Sequence, residues 1–141
     1  MADRFSHWSH CYGCGPKNDR SEGIVLERAG DDEVSARVYI DRDHGGAPGF
    51  AHGGYLSLLL DEVMGGVAPS PQPRVTTDLQ VRFLRAVPLD SDVLVTARLR
   101  EREDQGFSVQ GSVRVGGAEE VAVEATAYFR FVDLSRLRRR S

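Results

Sequence analysis

Residues 45–66 read GGAPGFAHGGYLSLLLDEVMGG, and how this stretch folds decides the rest. From 53 to 64 it holds the chain's longest run of good helix formers, Leu56, Leu58, Leu59 and Leu60, and it is apolar on nearly every side except at Asp61 and Glu62. A helix that is hydrophobic all round is a buried one. This segment is therefore expected to be the core helix, and it carries a carboxylate into surroundings where carboxylates are expensive.

The helix start lacks the usual cap. His52-Gly53-Gly54 follows Pro48-Gly49 without Ser, Thr, Asp or Asn, so the first backbone N–H groups are expected to stay free for an oxyanion or a polarised carbonyl. The alternative is that the two glycines only allow close packing against a sheet. Gly53 and Asp61 are eight residues apart, about 12 Å along a helix, so one helix cannot aim both at one carbonyl. Two copies lying antiparallel about a two-fold axis do so, which makes a homodimer the expected unit. Glu62 lies about 100° further round the helix and is expected to meet solvent or an interface.

Outward from the helix, the bounds are ordinary. With 141 residues, 40% of them hydrophobic, and a net charge of −3, the chain is expected to form one globular domain with a real core. Mild acidity argues against nucleic acid as a partner. No stretch is long and apolar enough to span a bilayer, and Met1-Ala2-Asp3-Arg4 begins no secretory leader, so the cytoplasm is the expected address. Residues 1–23 form a polar lead-in containing His7, His10, Cys11 and Cys14. A zinc reading of this C-x-x-C lacks a second cysteine pair, and a redox reading lacks the βαβ setting. A packed turn with two reduced thiols and no metal is expected.

The remaining segments alternate as strands do: 24–28 and 34–40 before the helix, then 75–83, 93–101, 107–115 and 121–131. In 75–83, Val75, Thr77, Leu79, Val81 and Phe83 are expected on one face, with Thr76, Asp78, Gln80 and Arg82 on the other. His44, in the glycine-rich approach to the helix, reads as a solvated loop histidine. Short turns between long strands imply an antiparallel meander with one apolar face, and the helix covers it. The expected fold is α+β, a single domain over 24–133 with its sheet wrapped around one central helix, followed by a basic tail at 134–141.

Three stretches together, Pro48-Gly49-Phe50-Ala51-His52-Gly53-Gly54, Leu58-Leu59-Leu60-Asp61-Glu62 and residues 76–88 (TTDLQVRFLRAVP), resemble the hotdog-fold acyl-CoA thioesterases of the phenylacetate-pathway type. The lead-in at residues 11–18 (CYGCGPKN), followed by Gly23-Ile24-Val25-Leu26, is similar to the opening of many bacterial members. The resemblance implies that the Gly53 N–H polarises a thioester carbonyl and that His52 supports that turn. It also implies that Asp61 is general base or nucleophile and that Thr76 positions water. Substrate contacts are expected at Gly54, Thr77, Arg82 and Arg85, with Arg136, Arg138, Arg139 and Arg140 as further cations for the phosphates of coenzyme A or as a solvated end.

The family's site lies between two subunits, and a dimer or a dimer of dimers fits equally. Coenzyme A would enter as part of the substrate, with no separate cofactor. Where many members carry Asn or Gln, this chain has Gly46. Hydrolysis of an acyl-CoA or acyl-carrier-protein thioester is the expected function. The alternative is an acyl-CoA-binding sensor or carrier, and a hydratase of the same broad fold suits the residue arrangement less well.

Overall fold

The computed structural model describes residues 3–138, as one sheet bent around one helix. Helix α1 spans Gly53–Gly65 and turns Leu56, Leu59, Leu60, Val63 and Met64 into the core. Each such side chain stabilises the fold by about 1.5–3 kcal/mol on burial. Its C-terminal carbonyls are satisfied by two arginines. Arg28 donates to the Gly66 and Val67 carbonyls (2.6 and 2.9 Å), and Arg74 to those of Gly65, Ala68 and Ser70 (3.2, 2.8 and 2.6 Å). Positive charge at this end also complements the helix dipole.

The strands are β1 (Asp3–Phe5), β2 (Leu26–Arg28), β3 (Glu33–Ile40), β4 (Arg74–Phe83), β5 (Ser91–Arg102), β6 (Gly106–Val115) and β7 (Val123–Phe131). They pair in the order β1-β2-β3-β5-β6-β7-β4, antiparallel throughout. The expected α+β architecture is the observed one. The lead-in adds β1, three residues with too little periodicity to be read, and a short helix α2 (Leu134–Arg138) follows β7.

Strand β4 departs from its expected alternation. Thr76 lies opposite Phe129 and Asp78 opposite Tyr128, so Thr77 is an extra residue, a bulge. Directly paired residues share a face. Beyond the bulge Leu79, Val81 and Phe83 pair with the inward Ala127, Ala125 and Val123. Before it, Thr76 and not Thr77 takes the inward side, beside Phe129. One inserted residue thus turns a hydroxyl toward the helix.

β4 is also the sheet's long edge, bonded only to β7 among the described residues. Apart from the half-buried Arg74 and Val81, it is exposed along its length, and Phe83 is 52% exposed. A ten-residue edge with an open outer side is a template for a further strand.

Candidate active site

The backbone enters α1 through a tight approach. The His52 N–H donates to the His44 carbonyl (2.7 Å), and Gly46 passes so close that a Cβ there would lie 2.8 Å from the His52 Cα. A side chain at 46 does not fit this path. His52 is itself the N-cap: its Nδ1 accepts from the Gly54 N–H at 2.8 Å. The expectation of two bare amides is corrected accordingly. Histidine does here what Ser or Asp usually does, and the Gly54 N–H is taken. The Gly53 N–H has no acceptor among the described residues.

Behind this turn, His44 is not a solvated loop histidine. Its side chain is 17% exposed and stacks on Tyr55, with ring centroids 3.9 Å apart and planes 5° apart. Its Nδ1 accepts from the Asp41 N–H (3.1 Å), leaving Nε2 facing Glu22 at 3.5 Å. Nothing in local spacing signals this, because the partner ring lies eleven residues on, across the glycine-rich turn.

Further along α1, Asp61 faces β4. The Thr76 hydroxyl donates to Asp61 Oδ1 at 2.7 Å. Burial pushes the Asp61 carboxyl above its ordinary value, the Thr76 bond pulls it partly back, and the charge of Glu62 adds to the rise. The ring of Phe83, near the other end of β4, lies 3.4 Å from where a Gly53 Cβ would be. β4 therefore runs along the helix from Asp61 to Gly53, and within one chain these two groups stay about 12 Å apart.

Glu62 overturns its expectation. It turns away from solvent into the lead-in, with a side chain 10% exposed, 3.0 Å from His7 Nδ1 and accepting from the Cys11 thiol at 3.4 Å. Burial opposes its charge, but hydrogen bonds from His7, Cys14 and Cys11 outweigh burial and hold the carboxyl below its ordinary value. The same burial, together with Glu62, pushes both thiols up.

The other expected contacts are not gathered here within one chain. Thr77 donates to the Tyr128 carbonyl (3.1 Å). Arg82 and Arg85 lie on the surface beside Glu124 (3.9 Å) and Glu120 (2.8 Å). In the tail, Arg136 lies 3.9 Å from Asp133, while Arg139, Arg140 and the side chain of Arg138 are outside the described residues. A cleft of about 720 Å³ opens at the far end of α1, between Phe5, Trp8, Arg28 and Arg74. None of Gly53, Asp61 and Thr76 lines it, and its arginines are already spent on the helix carbonyls.

A hotdog sheet whose central helix sets a buried-side carboxylate against the open edge strand defines a class of protein. Residues 48–122 match the profile of the Thioesterase superfamily, and the chain belongs to that superfamily. The mouse acyl-coenzyme A thioesterase THEM4 is 31% identical over 84 residues, 60% of this chain and 36% of that protein. The chain thus spans about a third of the length of that curated relative. The crystal structure of RHA08564, a thioesterase superfamily protein, superposes with a TM-score of 0.76 at 30% identity, covering 89% of this chain and 61% of that one. The protein smu.793 from Streptococcus mutans, bound to acetyl CoA, has the same fold (TM-score 0.72, 21% identity, 79% and 90% covered). No helix among the described residues is long and apolar enough to cross a membrane.

Proposed function

We propose that the chain hydrolyses an acyl-CoA thioester, or the equivalent ester of an acyl-carrier protein, in a site shared by two copies. The observation that carries this reading is Asp61, a carboxylate on the central helix that is held by Thr76 against the edge strand β4, whose outer side is open among the described residues. Two β4 edges joined about a two-fold axis would bring Asp61 of one copy toward the free Gly53 N–H of the other. The similarity to THEM4, an acyl-coenzyme A thioesterase, supports the substrate class.

In this site Asp61, ionised, takes a proton from water as the water oxygen attacks the thioester carbon, or attacks that carbon itself to give a mixed anhydride. The Gly53 N–H donates to the carbonyl oxygen as negative charge grows on it. The carbon–sulfur bond then breaks, the thiolate leaves and takes up a proton, and in the second course water cleaves the anhydride to release the acid and restore Asp61. Arg82 and Arg85 offer exposed guanidinium groups that can exchange their surface carboxylates, which hold them weakly, for coenzyme A phosphates. The two unpaired thiols suit a reducing compartment such as the cytoplasm.

Release of free thiol from a panel of acyl-CoAs, with Asp61→Asn beside the parent protein, tests the assignment. The parent is expected to release thiol and the variant to lose on the order of a hundredfold; equal rates end the catalytic role of Asp61. A second reading, an acyl-CoA carrier, draws on Gly46, where the family's amide side chain has no room. Saturable acyl-CoA binding without thiol release would favour it.

A further inference from the structure

The proposed chemistry makes no use of the lead-in, although residues 6–25 run between β1 and β2 with neither strand nor helix. An irregular segment of that length inside a compact domain needs something to fix it. Backbone turns do part of this, Gly15 N–H to the Cys11 carbonyl (2.8 Å) and Ile24 N–H to the Gly13 carbonyl (2.9 Å) among them. The rest converges on one point. His7 Nδ1, Cys11 Sγ, Cys14 Sγ and a Glu62 oxygen all lie within 4.8 Å of one another.

The spacing of these atoms is that of a coordination shell. His7 Nδ1 is 3.0 Å from Glu62 Oε1 and 3.2 Å from Cys14 Sγ, and Cys11 Sγ is 3.4 Å from both Glu62 oxygens. A tetrahedral zinc with bonds of about 2.3 Å to sulfur and about 2.0–2.1 Å to nitrogen and oxygen has ligand–ligand edges of about 3.3–3.8 Å. These named edges lie a few tenths of an ångström short of that shell, and every other pair of ligand atoms lies within 4.8 Å, so one ion can be seated by small side-chain shifts. The surroundings are built to match. The Gly13 N–H donates to Cys11 Sγ at 3.3 Å, the kind of outer bond that steadies a thiolate ligand. A Cβ at Gly13 would overlap Glu62 Oε2, so only glycine lets the carboxylate reach the cluster. Both cysteines are buried and unpaired.

We propose that His7, Cys11, Cys14 and Glu62 bind one zinc ion, which staples the lead-in to helix α1 beside Asp61. Two sulfurs, one nitrogen and one oxygen form a donor set that suits zinc. Four protein ligands fill the tetrahedron, so the role is structural and no position is left for substrate. Binding displaces the two thiol protons to solvent, and two thiolates and one carboxylate leave the site with a single negative charge around the dication. Sequence spacing hides the site because the fourth ligand comes from the helix, 51 residues beyond Cys11.

The full-length protein, produced with zinc supplied and passed through gel filtration, is expected to retain about one zinc per chain by elemental analysis. Cobalt(II) loaded into the metal-stripped protein is expected to give the intense visible bands and thiolate charge-transfer absorption of a four-coordinate site. Cys14→Ser is expected to lose both. His7→Ala removes a side chain that is 46% exposed and leaves the core alone, and it is expected to weaken zinc binding at least tenfold while the circular dichroism of the fold is kept. Chelation is expected to lower the melting temperature of the parent and not that of Cys14→Ser. Zinc well below one equivalent in the supplemented parent, equal zinc in the parent and both variants, or a six-coordinate cobalt spectrum would overturn the assignment. So would a Cys11–Cys14 disulfide in anaerobically purified protein.

Discussion

Asp61 and Glu62 are adjacent on α1, about 100° apart in direction, and their surroundings differ in what donates to them. Asp61 has one hydroxyl, from Thr76, and burial wins, so its carboxyl sits above the ordinary value. Glu62 has His7 and two thiols, and donors win over burial, so its carboxyl sits below. Asp61 looks toward an open edge of the sheet, and Glu62 toward a segment folded over it. The pair shows that burial alone does not set a carboxyl group's pKa; the number of donors it meets decides the direction.

The widest gap between the two is expected from substitution by the amide. Asp61→Asn loses on the order of a hundredfold in thiol release. Glu62→Gln instead loses zinc and lowers the melting temperature by about 5 °C, a shift of the size expected for 1–2 kcal/mol in a domain this small. Thiol-release assays and thermal melts on both variants check this, and matching profiles would erase the distinction. Next in size, Leu79→Lys places a charge on the open edge and is expected to shift the protein from dimer to monomer in light scattering, with thiol release falling by more than about tenfold. A monomer that keeps full activity would break the shared-site reading.

Thr76→Val keeps the shape and removes the bond to Asp61. Hydrogen bonds to charged groups contribute about 1.5–3 kcal/mol, so kcat is expected to fall about tenfold with KM nearly constant; a fall confined to KM would move Thr76 from the chemistry to binding. The smallest effect is expected from Arg85→Ala. Its guanidinium is exposed and its present ion pair is a surface one, so KM for acyl-CoA rises about threefold with kcat unchanged. No change at all would remove it from the binding surface.

What could be read from residue order was whatever has a period. The apolar run at 53–64 is the core helix, and the alternating segments after it are strands of one antiparallel sheet. Asp61 and Gly53 stood out because a carboxylate and a capless glycine pair are rare inside such a helix. What escaped depends on a single insertion or on distance along the chain. The bulge at Thr77 changes the phase of β4 without changing its composition, so alternation assigned Thr77 to the face that Thr76 occupies. His52 escaped as a cap because histidine seldom serves as one. Residue order points Glu62 to solvent or an interface and His44 to solvent, because the groups that cover them, the lead-in and Tyr55, come from outside their own turn of chain.

The two rims of the sheet are unequal. One ends in β1, three residues long and flanked by the Arg4–Glu27 ion pair, while the other is β4, ten residues of uncovered backbone. A sheet of this kind can grow from one side only. Once two long rims meet, both remaining borders are short and charged, and no template is left for a third chain. In the proposed two-copy site this asymmetry would close assembly through the sheet at a pair and would work against polymerisation into fibres.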